Sequence, residues 1–260
     1  MSYPSVISQK GSAARNLEPV LEALAPLIKP PPAAAPAADP ETPHQPNPRP
    51  CLPPSTPARR VLELASYPYE HIRAYAATWP DVEFTGTVRD ATEAAGVGSG
   101  ADFPPNLRRP AQLDVAVDED WELLRGHTGE GYDGVVMLNL VHCMPEGAAE
   151  DVFRNLSPLT PGGRKLLGPC GWIAAYGAYL NDDGSFRSEA DKKFDAEHIK
   201  ATHPSLGLRT PHSVTALANK WGFDEVVRAD MPKGNLWLVW QACTRTEADM
   251  TGRESWIASP

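Results

Sequence analysis

From residue 59 onward, short apolar runs alternate with stretches whose apolar residues recur every three or four positions. The runs at 61–65, 82–87, 113–117, 134–140, 164–167, 226–229 and 235–242 predict strands, and the periodic stretches at 69–78, 90–95, 121–124, 147–156, 189–202 and 213–221 predict helices. Strands that alternate with helices form βαβ units, which give a mostly parallel sheet covered on both faces. The last two runs break the alternation. In "DEVVRADMPKGNLWLVWQAC" they are joined by Met231-Pro232-Lys233-Gly234 with no helix between, which predicts an antiparallel hairpin. The expected fold is therefore α/β, a doubly wound, mostly parallel sheet closed by a C-terminal antiparallel hairpin.

Ahead of this region, "SAARNLEPVLEALAPLI" places Leu17, Val20, Leu21, Leu24 and Leu27 at helical spacing, with Ser12 as its expected cap. Its apolar face predicts a helix, within an N-terminal segment 1–28, that docks on the following domain. Segment 29–58 holds 12 of the chain's 28 prolines among alanines and polar residues. Proline removes backbone donors and little here can be buried, so this segment reads as a disordered or polyproline-like linker. The main domain is expected over 59–246, with a tail at 247–260.

The charge of -9 and the lack of a Lys/Arg run argue against nucleic acid as a partner. Cys51, Cys143, Cys170 and Cys243 lie far apart, with no spacing that suggests a metal site or a disulfide framework. The first residues lack a signal-peptide core, and no window approaches the roughly 18 apolar residues of a membrane span. A cytoplasmic protein that uses neither nucleic acid nor membrane is expected. The sequence leaves its oligomeric state open.

Candidate chemistry centres on the first strand and the loop after it, "VLELASYPYEH". Together with "SAARNLEPVLEAL", "NLRRPAQLDV", "YDGVVMLNLVHCMP", "LTPGGRKLLGP", "FDAEHI" and "DMPKGNLWLVWQ", this segment resembles the methyltransferase-like protein 26 family. The resemblance implies a class I methyltransferase-like Rossmann fold and a site for S-adenosylmethionine. In that family the first loop reads roughly Ser-Gly-Thr-Gly-Glu-His, with glycines where the backbone nears the methionine end of the cofactor. Here it reads Ser66-Tyr67-Pro68-Tyr69-Glu70-His71, and an acid expected at the end of the second strand is replaced by Val88, with Asp90 two residues on. If the cofactor is retained, Glu63, Val88, Asp90 and Asp114 are the positions expected to meet it.

Ligands in open α/β sheets bind outside the carboxyl ends of the strands. On that rule His142, which follows the fourth long run, and His71 are candidate acid/base groups facing one cavity, with Glu70 as a weaker third. Tyr67, Tyr69, Trp172, Tyr176, Asp191 and Asn139 are the expected substrate-pocket residues, and Asp195 lies one helical turn beyond Asp191. An aromatic pocket without glycines suggests that the cofactor has been lost. The leading expectation is an enzyme that needs no cofactor and cyclises or isomerises a small organic molecule by orientation and hydrogen bonding. An S-adenosylmethionine-dependent methyltransferase is the alternative, and a non-catalytic partner-binding protein a third.

Overall fold

The computed structural model describes residues 11–30, 58–98, 102–128, 131–158 and 166–242. The bulk of the proline-rich segment and the whole tail lie outside the described residues. Seven strands form one sheet: β1 (Arg60–Leu64), β2 (Glu83–Val88), β3 (Ala111–Gln112), β4 (Tyr132–Leu138), β5 (Leu167–Gly177), β6 (Phe223–Asp230) and β7 (Leu236–Ala242). Their order is β3-β2-β1-β4-β5-β7-β6. The first five are parallel, and β7 runs antiparallel to both β5 and β6. This is the expected α/β fold, a doubly wound, mostly parallel sheet with a C-terminal antiparallel hairpin.

Residues of β1 divide alternately between two cores, as the two-residue period of a strand requires. Leu62 and Leu64 join Trp121, Val152, Phe153, Val214 and Ala218 from α4 (Asp118–Thr128), α5 (Glu146–Leu156) and α7 (Pro211–Lys220) on one face. Val61 joins Val20, Leu24, Ile72, Tyr75 and Val97 from α1 (Ser12–Ile28), α2 (Glu70–Thr78) and α3 (Ala91–Val97) on the other. The predicted N-terminal helix thus docks through its apolar stripe. It begins one residue earlier than expected, since the capping position is Gly11 in a left-handed conformation rather than Ser12. Where the chain returns at Ala58, that residue's N–H donates to the Ile28 carbonyl at 3.0 Å.

Two predicted strands are corrected. The run at 113–117 is a turn, because Asp114 accepts from the Ala116 N–H with Oδ1 and from the Val117 N–H with its carbonyl, curling the chain away from β2. The run at 164–167 catches only the first residue of β5. Gly168, Pro169 and Gly171 read as a break, yet β5 continues past them by a register shift opposite Tyr132 and Gly134. The predicted helix at 189–202 is α-helical in α6 (Glu189–Phe194) and becomes a π-helical segment at Asp195–Lys200.

Candidate functional site at the strand ends

The carboxyl ends of β1, β2, β3, β4 and β5 lie at one edge of the sheet, at Leu64, Val88, Gln112, Leu138 and Gly177. Chain leaving β1 turns sharply, with Ala65 at φ 54° and Tyr69 at φ 75°. Both values lie in the left-handed region that glycine favours, so the loop keeps a glycine-like backbone path without its glycines. The Tyr67–Pro68 peptide between them is cis.

Neither tyrosine lies where the sequence reading placed it. Tyr69 turns down onto the sheet, fully buried, and its ring fills the space that a side chain on Gly86 would occupy. Its hydroxyl donates to the Gly86 carbonyl at 3.1 Å and accepts from the Gly86 N–H at 3.0 Å, while the ring stacks on Phe103. Tyr67 is 44% exposed and lies across α3 beside Gly96. One ring is core and the other surface. The expected aromatic substrate wall is therefore corrected: an apolar ring gains more by burial on β2 than by standing at a polar strand edge.

Directly below this loop, Glu63 is buried and its Oε2 has no hydrogen-bond partner among the described residues. Burial raises its pKa to about 8, against the Ser66 hydroxyl, which lowers it. Tyr75 is buried with its hydroxyl also unpartnered, and the negative charge of Glu63 adds to the burial that pushes its ionisation upward. His71 projects from the first turn of α2 with its ring 6.3 Å from that of Tyr75. A ring nitrogen bonds the Ala13 backbone and Nε2 is unpartnered, so Nδ1 is the donor to the α1 carbonyl. Burial lowers the His71 pKa to about 4. Glu70 is exposed at the start of α2 and does not join this group.

The ends of β2 and β3 are built differently from the expectation. Val88 is a fully buried core residue, and Asp90 caps α3 by accepting from the Thr92 and Glu93 N–H groups at 2.8 and 2.9 Å. Asp90 is thus a helix cap, as its position ahead of an apolar helix favours. Between the two strand ends, Arg89 Nε meets Asp114 Oδ2 at 3.2 Å. Asp114 stands in the turn after β3, engaged in that ion pair.

Beyond β4, Asn139 takes φ 52° and its N–H donates to the Tyr176 carbonyl at 2.7 Å. This sharp exit leads into a short 3-10 turn, Val141–Cys143, that carries His142. His142 is buried, bonds the Ala178 backbone at the end of β5, and meets Phe194 edge to face at 5.5 Å. Burial first, then the Arg209 charge, lowers its pKa to about 4, against the Ala178 bond and Asp195. The two histidines are held by separate elements, α1 and α2 for His71 and β5 and α6 for His142. At neutral pH both are uncharged, and burial that opposes their protonation leaves each a hydrogen-bonding group rather than a strong base.

Among the remaining predicted pocket residues, Trp172 is corrected. It lies in the core over Gly134, midway along β5 and short of the strand end at Gly177. Tyr176 lies near the correct end, buried, with its hydroxyl accepting from Asn235 Nδ2 at 2.8 Å. Asp191 accepts from the Ser188 hydroxyl at 2.7 Å and packs near Gly234 of the hairpin turn. Asp195 is buried, accepting from the Leu208 N–H at 2.7 Å and pairing with Lys200 at 2.6 Å. A cavity of about 260 Å³ is lined by Leu180, Asn181, Asp182, Arg187, Arg228 and Asp230, among others. Its charges already pair as Arg187 with Asp230 and Arg228 with Asp182, and it lies toward the β6 edge, away from β1 to β4. No group of His, Cys, Asp and Glu among the described residues could hold a metal ion.

Two features test whether the crevice suits S-adenosylmethionine. At the β1 end the residues fit: both tyrosine rings turn away, and an unpartnered buried carboxyl matches a cationic ligand group. At the β2 end Val88 offers no acceptor, and the polar group present is the Arg89–Asp114 pair. Among solved structures, the chain is similar to an O-methyltransferase family protein from Burkholderia thailandensis. That match has TM-score 0.57 and 14% identity, covering 73% of this chain and 52% of the other. A putative O-methyltransferase from Nostoc punctiforme aligns with TM-score 0.56 and 18% identity, over 70% and 52% of the two chains. Human N-acetylserotonin methyltransferase, solved in complex with S-adenosylmethionine, aligns with TM-score 0.55 and 12% identity, over 72% and 48%. The chain spans about half the length of these proteins, and at such identities the likeness speaks for the fold. No described helix is long and apolar enough to cross a membrane. Residues 49–242 match the model of a family described as protein of unknown function (DUF938), and the chain belongs to that family.

Proposed function

We propose that this chain is an S-adenosylmethionine-dependent methyltransferase acting on a small organic molecule, with kinship to the methyltransferase-like protein 26 group. The observation that carries this reading is the turn of Tyr67 and Tyr69 away from the strand ends. With both rings gone from the crevice, the main reason to expect a lost cofactor falls away. The neighbouring folds named above include methyltransferases, which supports the same reading.

On this reading Glu63 holds the positively charged amino-acid end of the cofactor, with the β1 loop backbone around it. Bound there, the cofactor supplies an electrophilic methyl group. His142 accepts the hydrogen bond of the acceptor's hydroxyl or amine. Its low proton affinity sets a limit on that role. Full proton transfer from a phenol-like group to an imidazole of pKa about 4 would cost about 8 kcal/mol. His142 therefore orients and polarises the acceptor and takes the proton only as the bond to carbon forms.

A cofactor-independent cyclase or isomerase is the second reading. It is favoured by one observation, the loss of the ribose acceptor at Val88 with Asp90 committed to the α3 cap. Calorimetric titration with S-adenosylmethionine separates the two. We expect saturable binding in the micromolar range; absence of heat at millimolar ligand would leave the second reading in its place.

A further inference from the structure

Residues 207–209 carry no predicted role, yet they are tied to the His142 turn from several directions. The Gly207 N–H donates to the His142 carbonyl at 3.2 Å, and the Arg209 carbonyl accepts from the Leu180 N–H at 2.9 Å, just beyond β5. From Arg209, Nη1 donates to the Val141 carbonyl and Nη2 to the Met144 carbonyl, the latter at 2.6 Å. These two carbonyls bracket His142 in the chain. A planar guanidinium can hold both in one fixed geometry, which an ammonium on a flexible stem cannot do.

We propose that Arg209 is the positioning residue of this site: its guanidinium clamps both ends of the 3-10 turn and so fixes the place of the His142 imidazole against Ala178. The inference rests on the reading of His142 as the group that meets the acceptor. Arg209 opposes protonation of the imidazole and Asp195 favours it, with the Asp195 charge shared with Lys200 at 2.6 Å. Cys143 on the same turn is held as a neutral thiol, its pKa raised by burial to about 12. Tyr179, buried on the β5 side, is likewise held neutral by burial.

The test is an NMR titration of the His142 ring in the full-length protein, with R209M and R209K beside the parent. In R209M the midpoint should rise by at least about one pH unit, a tenfold gain in proton affinity, and R209K should fall between. A loss of fold stability alone would lower the unfolding temperature without this graded return by a retained charge. Midpoints within about 0.3 unit of the parent in either folded variant would overturn the assignment. If R209M does not fold, R209K decides alone, with a rise of about half a unit expected and no rise contradicting it. No cofactor enters the experiment. A protein that ignores S-adenosylmethionine yet shows the graded shift would lose the proposed function and keep the role of Arg209.

Discussion

Glu63 and the two histidines are the residues whose ionisation the fold changes most usefully. In the folded protein Glu63 holds its proton up to about pH 8, well above its ordinary range, because burial penalises its charge. Between the ordinary carboxyl pKa and about 8 the native state therefore binds a proton that the unfolded chain has lost, and stability falls as pH rises through that window. E63Q removes the titration. Denaturant unfolding should show E63Q gaining on the parent by a few kcal/mol at pH 8. The gain should vanish near pH 4.5, and a pH-independent difference would contradict the buried, uncharged carboxyl. S-adenosylmethionine should bind with release of a proton near pH 7, as its positive charge draws Glu63 into its ionised form. Calorimetry in buffers of different ionisation enthalpy measures that release, and an identical heat in all of them would sink the pairing.

At the scale of elements, the loop from β1 to α2 shows how a glycine turn can be replaced without losing its path. Tyr69 serves as a core side chain at the start of α2, and Gly86 on β2 leaves room for its ring. Y69A should cost about 3–5 kcal/mol in denaturant unfolding, the range for removing a buried aromatic ring, while Y67A should cost less than about 1 kcal/mol. Equal costs would mean that the two rings do not divide between core and surface as described. The alternating pattern made the strands, helices and hairpin legible, because burial on two faces imposes it residue by residue. The direction of Tyr69 was not legible, since nothing in "YPY" records that Gly86, seventeen residues later, leaves a ring-sized space. The role of Arg209 was not legible for a similar reason. In "LGLRTPHS" it stands before a Thr-Pro helix start, outside any periodic segment, and its partners at Val141 and Met144 are more than sixty residues away. His142 and Asn139 were legible because strand-end topology alone places them. Trp172 was misread because Gly168, Pro169 and Gly171 hid the length of β5.

For the whole molecule, the two histidines set an acid limit. Both have pKa values near 4 when folded, so the unfolded chain binds protons there that the native state refuses. Stability is thus full above the ordinary histidine pKa and is lost as pH falls toward 4, by up to about 3 kcal/mol for each ring. That loss is a large share of a domain's usual 5–15 kcal/mol or so. Denaturant unfolding should show stability falling between pH 6.5 and 4, and H142Q should lessen that fall.

Ligand is expected at the carboxyl ends of β1 to β4, beside a loop whose tyrosines have turned away. The most direct measurement is an amide chemical-shift map of the full chain during titration with S-adenosylmethionine. Signals at residues 63–71, 88–90, 113–116 and 139–142 should shift. No perturbation there, or shifts confined to the cavity around Asn181, Arg187 and Arg228, would contradict that placement.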